Sequence, residues 1–143
     1  MTPAELLDRE EIRDLVVRYA HAVDRRAWAN VAACFLPDAT ADYGWFAGGI
    51  ADVLAKIRAG LDGFDAAVHF VGNHLAEVRG DDATAETYAL CVHRGAAGGV
   101  VREVTVALRY LDRLVRTPDG WRIARRELAV DFDERRERPE DPA

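Results

Sequence analysis

Four stretches in the second half of the chain decide the fold: AVHFVGNHLAEV (67–78), ATAETYALCVHR (83–94), VVREVTVALRYLDRLV (100–115) and WRIARREL (121–128). Their β-branched and aromatic content and their length read as four long strands. Arg79-Gly80-Asp81-Asp82, Gly95 to Gly99 and Thr117-Pro118-Asp119-Gly120 separate them. These are turn-forming clusters, short enough to join antiparallel neighbours. The second half therefore predicts an antiparallel meander.

The first half has a different period. From Ala4 to about Arg26, Ile12, Leu15, Val16, Tyr19 and Val23 recur at helical spacing among many charges. Thr2 can cap this helix, with Pro3 in its first position and Glu5 completing a capping box. Trp28 to Phe35 reads as a second short helix, stopped before Pro37 because a residue preceding proline avoids helical dihedrals. Asp38 to Phe46 is strand-like, Gly48-Gly49 reads as a turn, and Ile50, Val53, Leu54 and Ile57 mark a helix over Ile50 to Gly60. Helices followed by a meander predict an α+β domain, with the helices on one face of a curved sheet. One domain is expected over residues 1–133. Residues 134–143, charge-rich with two prolines, are expected to form a flexible tail.

Composition limits the partners. The net charge is −6 and no basic cluster carries interleaved aromatics, which argues against nucleic acid. No apolar run reaches the roughly 18 residues of a membrane span, and the acidic start MTPAELLDREEIRDL does not resemble a signal peptide. Cys34 and Cys91 lack metal-like spacing and read as buried thiols of a cytoplasmic protein. No spacing of His, Cys or carboxylates suggests a metal site. Apolar alternation over Val101 to Leu111 exceeds what one layer of helices covers, so a homo-oligomer is expected.

Three polar residues do not read as solvated surface. Asp24 follows the apolar stripe of the first helix, His69 opens an otherwise apolar strand, and His93 closes another. Period-2 geometry places Thr87, Ala89, Cys91 and His93 on one face, whose small residues leave room for a pocket floor. A carboxylate beside a buried histidine fixes its tautomer and stabilises the imidazolium, which makes a proton-transfer pair. From spacing alone a lone histidine such as His69 on an apolar strand is more often a satisfied core histidine, and Tyr19 could equally be a core aromatic. Arg126 could equally pair at the surface with Glu127, Glu103 or Asp112. His21 and His74 are expected to be exposed.

Several phrases carry a family resemblance. They are Arg9-Glu10-Glu11-Ile12-Arg13-Asp14-Leu15 through Val23-Asp24, Cys34-Phe35-Leu36-Pro37-Asp38-Ala39, and His69-Phe70-Val71-Gly72-Asn73. Gly80-Asp81-Asp82-Ala83, Tyr110-Leu111-Asp112-Arg113 and Asp119-Gly120-Trp121-Arg122-Ile123-Ala124-Arg125-Arg126 follow in order. From about residue 5 to 132 the chain resembles the SnoaL-like family of the nuclear-transport-factor-2-like superfamily. Its enzymatic pattern is similar to bile acid 7α-dehydratase, scytalone dehydratase and hexachlorocyclohexane dehydrochlorinase.

The resemblance implies a cone-shaped sheet that encloses a pocket. It further implies a catalytic set of His69 as base, Asp24 as its orienter, and Tyr19 and Arg126 as charge stabilisers. His93, Tyr43, Cys91 and Trp45 are the expected substrate-binding residues. The implied activity is a cofactor-independent, dehydratase-like lyase acting on a hydrophobic small molecule such as a steroid, polyketide or terpenoid. An isomerase or polyketide cyclase using the same pocket, and a non-catalytic binding or dimerisation module, are the alternatives.

Overall fold

A computed structural model describes residues 1–142. The first helix, α1, spans Pro3–Asp24, with Thr2 accepting from the Glu5 amide and the Glu5 carboxylate accepting from the Thr2 amide. Its predicted stripe is its buried face: Ile12, Leu15, Val16, Tyr19 and Val23 all enter the core. The remaining elements are α2 (Trp28–Ala32), β1 (Phe35–Asp42), β2 (Ala47–Gly49) and α3 (Ile50–Leu61), followed by β3 (Ala66–Arg79), β4 (Asp82–Ala97), β5 (Val100–Thr117) and β6 (Gly120–Pro139). The six strands form one sheet in the order β2-β1-β6-β5-β4-β3, antiparallel throughout except where β1 runs parallel to β6. The sheet is curved and unclosed, and its inner face packs against the helices.

Several boundaries differ from the sequence reading, each for a physical reason. The second helix stops at Ala32, and Phe35 opens a strand containing Pro37. That proline falls between Phe35 and Thr40, where pairing with β6 shifts register, so no ladder hydrogen bond is lost to it. The chain reverses at Tyr43 to Phe46 rather than at Gly48-Gly49. Gly44 has φ of +86°, the Tyr43 amide donates to the Phe46 carbonyl at 2.9 Å, and Gly48 and Gly49 pair with Ala41 and Thr40.

The largest correction concerns the expected tail. Residues 134–139 continue β6 along β5, placing Glu137 opposite Arg102 and Arg136 opposite Glu103. Their charges complement the facing strand, and without them Val100 to Thr105 would have no neighbouring strand on that side. Exposed apolar side chains extend beyond the expected stretch. The central strand β5 covers Val101 and Ala107 but leaves Leu111 exposed, and Ala107 lies in one row of the sheet with Phe70 (69% exposed), Leu90 and Phe132 (60% exposed). No helix among the described residues is long and apolar enough to cross a membrane.

The inner face of β5 and β6 contains a fully buried ion pair. Arg126 lies opposite Asp112 and donates to it twice, Nε to Oδ1 at 2.7 Å and Nη2 to Oδ2 at 2.8 Å. Its guanidinium stacks 4.1 Å from the Tyr110 ring centroid and 4.3 Å from that of Tyr19, with Phe35 at 5.6 Å. Arg126 is 0% exposed, so the surface pairing that the sequence allowed does not occur. Removing one partner strands a buried charge. Asp112→Ala should therefore cost about 3–5 kcal/mol in urea unfolding, and Asp112→Leu combined with Arg126→Met should cost clearly less. A loss under about 1 kcal/mol for the single variant would refute this account.

Candidate active site

Two elements bring the pair together. Asp24 is the last residue of α1, and His69 lies near the start of β3, an edge strand whose outward backbone groups have no neighbouring strand. The carboxylate fills that gap. The His69 amide donates to both Asp24 oxygens at 3.0 Å, and Nδ1 donates to Oδ1 at 2.7 Å. Three contacts fix the ring and leave Nε2 as the other proton-carrying position.

His69 lines a cavity of about 460 Å³ on the inner face of the sheet, together with Tyr19, Tyr43, Trp45, Cys91 and His93. Its apolar wall includes Leu61, Phe64, Val106, Leu108 and Leu128. Trp45 is 63% exposed and stands at the mouth. The Tyr19 and Tyr43 hydroxyls are 2.7 Å apart and buried. One donates to the other, which leaves one O–H free for a ligand. Burial raises the pKa of both, against the pull of the nearby Arg126 charge, so both stay protonated at neutral pH.

The histidines are driven in opposite directions. Burial disfavours charge on His69, but the Asp24 carboxylate and the adjacent Cys91 sulfur outweigh it and raise the pKa to about 9. The His93 ring, 5.7 Å away, is pushed down to about 4 by burial and then by the charge on His69. His93 also packs 5.4 Å from Phe64, and its buried Nε2 has no hydrogen-bond partner among the described residues.

Two expected placements require correction. Arg126 does not line the cavity; it lies behind Tyr19 and Tyr110 and reaches the pocket only through their rings. His74 is half-buried rather than exposed. The register shift between Val71 and His74 keeps it on the inner face, where Nδ1 lies 2.7 Å from the Thr87 hydroxyl. The sequence reading assigned no role to Tyr110, nor to Asp133 and Arg135, which line the cavity from β6. Alternation along β5 puts Tyr110 on the inner face with Leu108 and Asp112, a signal available without a structure. Asp133 and Arg135 depended on recognising that β6 continues. Among the described residues no three His, Cys, Asp or Glu side chains converge to hold a metal ion.

An α+β sheet curved around a pocket, with helices on its inner face, defines a protein of the nuclear-transport-factor-2-like class. The chain belongs to the SnoaL-like domain family, whose profile matches residues 4–127. It is 38% identical to the uncharacterised protein Rv2910c of Mycobacterium tuberculosis over 131 residues, covering 88% of this chain and 87% of that one. Among solved structures it resembles a Novosphingobium aromaticivorans protein provisionally named a scytalone dehydratase, with a TM-score of 0.84, 21% identity, and coverage of 94% and 91%. It also resembles a hexachlorocyclohexane dehydrochlorinase, LinA type 2, with a TM-score of 0.80, 17% identity, and coverage of 97% and 95%.

Both shifts can be read in solution. The pKa of His69 is raised above its ordinary 6.5, so its stabilisation is complete below about 6.5 and is lost as pH rises through about 9. The pKa of His93 is lowered, so stability falls as pH drops from 6.5 towards about 4. An NMR titration should place His69 near 9 in the wild type and clearly lower in Asp24→Asn; equal values in the two proteins would rule out the pair.

Proposed function

We propose that the protein is a cofactor-independent, dehydratase-like lyase that removes a proton from a hydrophobic small molecule. The observation that carries this reading is the Asp24–His69 pair, bonded at 2.7 Å and facing an apolar cavity of about 460 Å³. A cavity of this size fits one compact ring system with few polar groups. The fold shared with a dehydrochlorinase, an enzyme named for an elimination, agrees with this class of chemistry.

In the proposed cycle, His69 Nε2 takes a proton from the carbon next to a carbonyl. The free hydroxyl of the Tyr19–Tyr43 pair donates to the carbonyl oxygen as negative charge develops there. Arg126, stacked on Tyr19, makes that hydroxyl a better donor without touching the substrate. The imidazolium, held by Asp24, then supplies the proton with which the β-substituent leaves as water. Where the substrate instead carries a β,γ double bond, the same abstraction followed by return of the proton to the γ-carbon ends in double-bond migration.

The raised pKa sets the pH dependence. At neutral pH most His69 already carries a proton, and the base form grows tenfold per pH unit until about 9. Elimination of water from cyclic β-hydroxyketones, followed by enone absorbance, should therefore accelerate with pH and level off above about 9. His69→Ala should lower kcat/KM by about 10²–10⁴, the usual worth of an oriented proton-transfer group. Tyr19→Phe should lower kcat more than it raises KM, because its donation strengthens in the transition state. Undiminished turnover in His69→Ala would sink the reading.

A further inference from the structure

Cys91 lies directly across the sheet from His69, on the neighbouring strand β4. Because the His69 amide turns outward to Asp24, the two residues form a pair without mutual backbone hydrogen bonds, the closer type of antiparallel pairing. In that arrangement Cα atoms are about 4.5 Å apart and the side chains converge. Both side chains face the cavity. Asp24, His69 and Cys91 thus stand in the order orienter, base and thiol, the constellation that activates a cysteine nucleophile. Cys34, the other thiol, lies outside this cavity and points its sulfur at the Asn30 carbonyl, 3.5 Å away.

We propose that Cys91 is a nucleophile activated by the His69–Asp24 pair, adding reversibly to α,β-unsaturated carbonyl compounds in the pocket. With His69 in its neutral form, the thiol proton passes to Nε2 as sulfur bonds to the β-carbon of the enone. The π pair of the double bond moves through the carbonyl carbon onto oxygen, giving an enolate. The imidazolium then returns the proton to the α-carbon, and the reverse sequence restores thiol and enone with no net oxidation. The inference rests on the same base as the lyase reading, whose product is itself an unsaturated carbonyl compound.

The test uses the full chain and 2-cyclohexen-1-one, with intact mass and peptide mapping of the adduct. One equivalent is expected on Cys91 and none on Cys34. The rate should fall about 10²-fold in His69→Gln, the lower end of what an oriented base contributes. Labelling of Cys34 would expose unfolding of that variant, in which case Asp24→Asn, expected to slow the reaction in the same direction, decides. An unmodified Cys91 in the wild type, or an equal rate in the folded variants, overturns the proposal. Failure of the lyase reading registers separately, as hydroxyketone turnover that does not depend on His69.

Discussion

The buried Arg126–Asp112 pair is the constraint on which the rest of the molecule depends. A guanidinium with no solvent contact is tolerable only when its charge is matched and its faces are covered. Asp112 does the first with two charge-assisted bonds, and the rings of Tyr19, Tyr110 and Phe35 do the second. Those rings belong to α1, β5 and β1, so one side chain on β6 gathers four elements. Among the described residues its Nη1 has no hydrogen-bond partner, which leaves positive potential directed towards the tyrosine hydroxyls. Stability and the electrostatics of the pocket are thus set by the same residue.

The helix α1 transmits that order to the edge of the sheet. Towards its N-terminus, Asp8 accepts from the Trp121 indole at 3.0 Å and pairs with Arg116, which stacks on the Trp121 ring. At its C-terminus, Asp24 holds His69. Between them the helix runs about 24 Å at 1.5 Å per residue, a strut fastened to the β5–β6 hairpin at one end and to β3 at the other. The edge position of β3 matters here. An interior strand would spend the His69 amide on a neighbour, and the carboxylate would lose two of its three contacts.

The sequence carried the fold well wherever periodicity was long. The stripe of α1 and its capping box, the four long strands and the small-residue face of β4 are all present in the structure. It misread elements whose conformation is set by a distant partner. The charged segment from Glu134 resembles a tail on its own and is a strand because Arg102 and Glu103 face it. Pro37 suggests a stop, yet sits where a register shift makes its missing donor harmless. For the site, the juxtaposition of Asp24, His69, Tyr19 and Tyr43 was legible through resemblance, because each lies in a recognisable phrase. The depth of Arg126 was not, since Arg125 and Arg126 differ only in which side of a strand they occupy, and a single bulge reverses that assignment.

The two histidines illustrate how placement on one sheet separates chemical roles. His69 and His93 share a pocket and lie 5.7 Å apart, yet of the two only His69 is hydrogen-bonded to the Asp24 carboxylate. Once His69 is protonated, its field and the apolar contact with Phe64 keep His93 neutral. Their pKa values, about 9 and about 4, bracket the physiological range. Throughout that range the pocket therefore presents one imidazolium and one imidazole with an unpartnered nitrogen. Divergent environments for like groups are the usual means by which a single cavity holds a proton donor and an acceptor at the same pH. Here the divergence follows from strand order: the edge strand is open to the carboxylate at the end of α1, and the strand behind it is not.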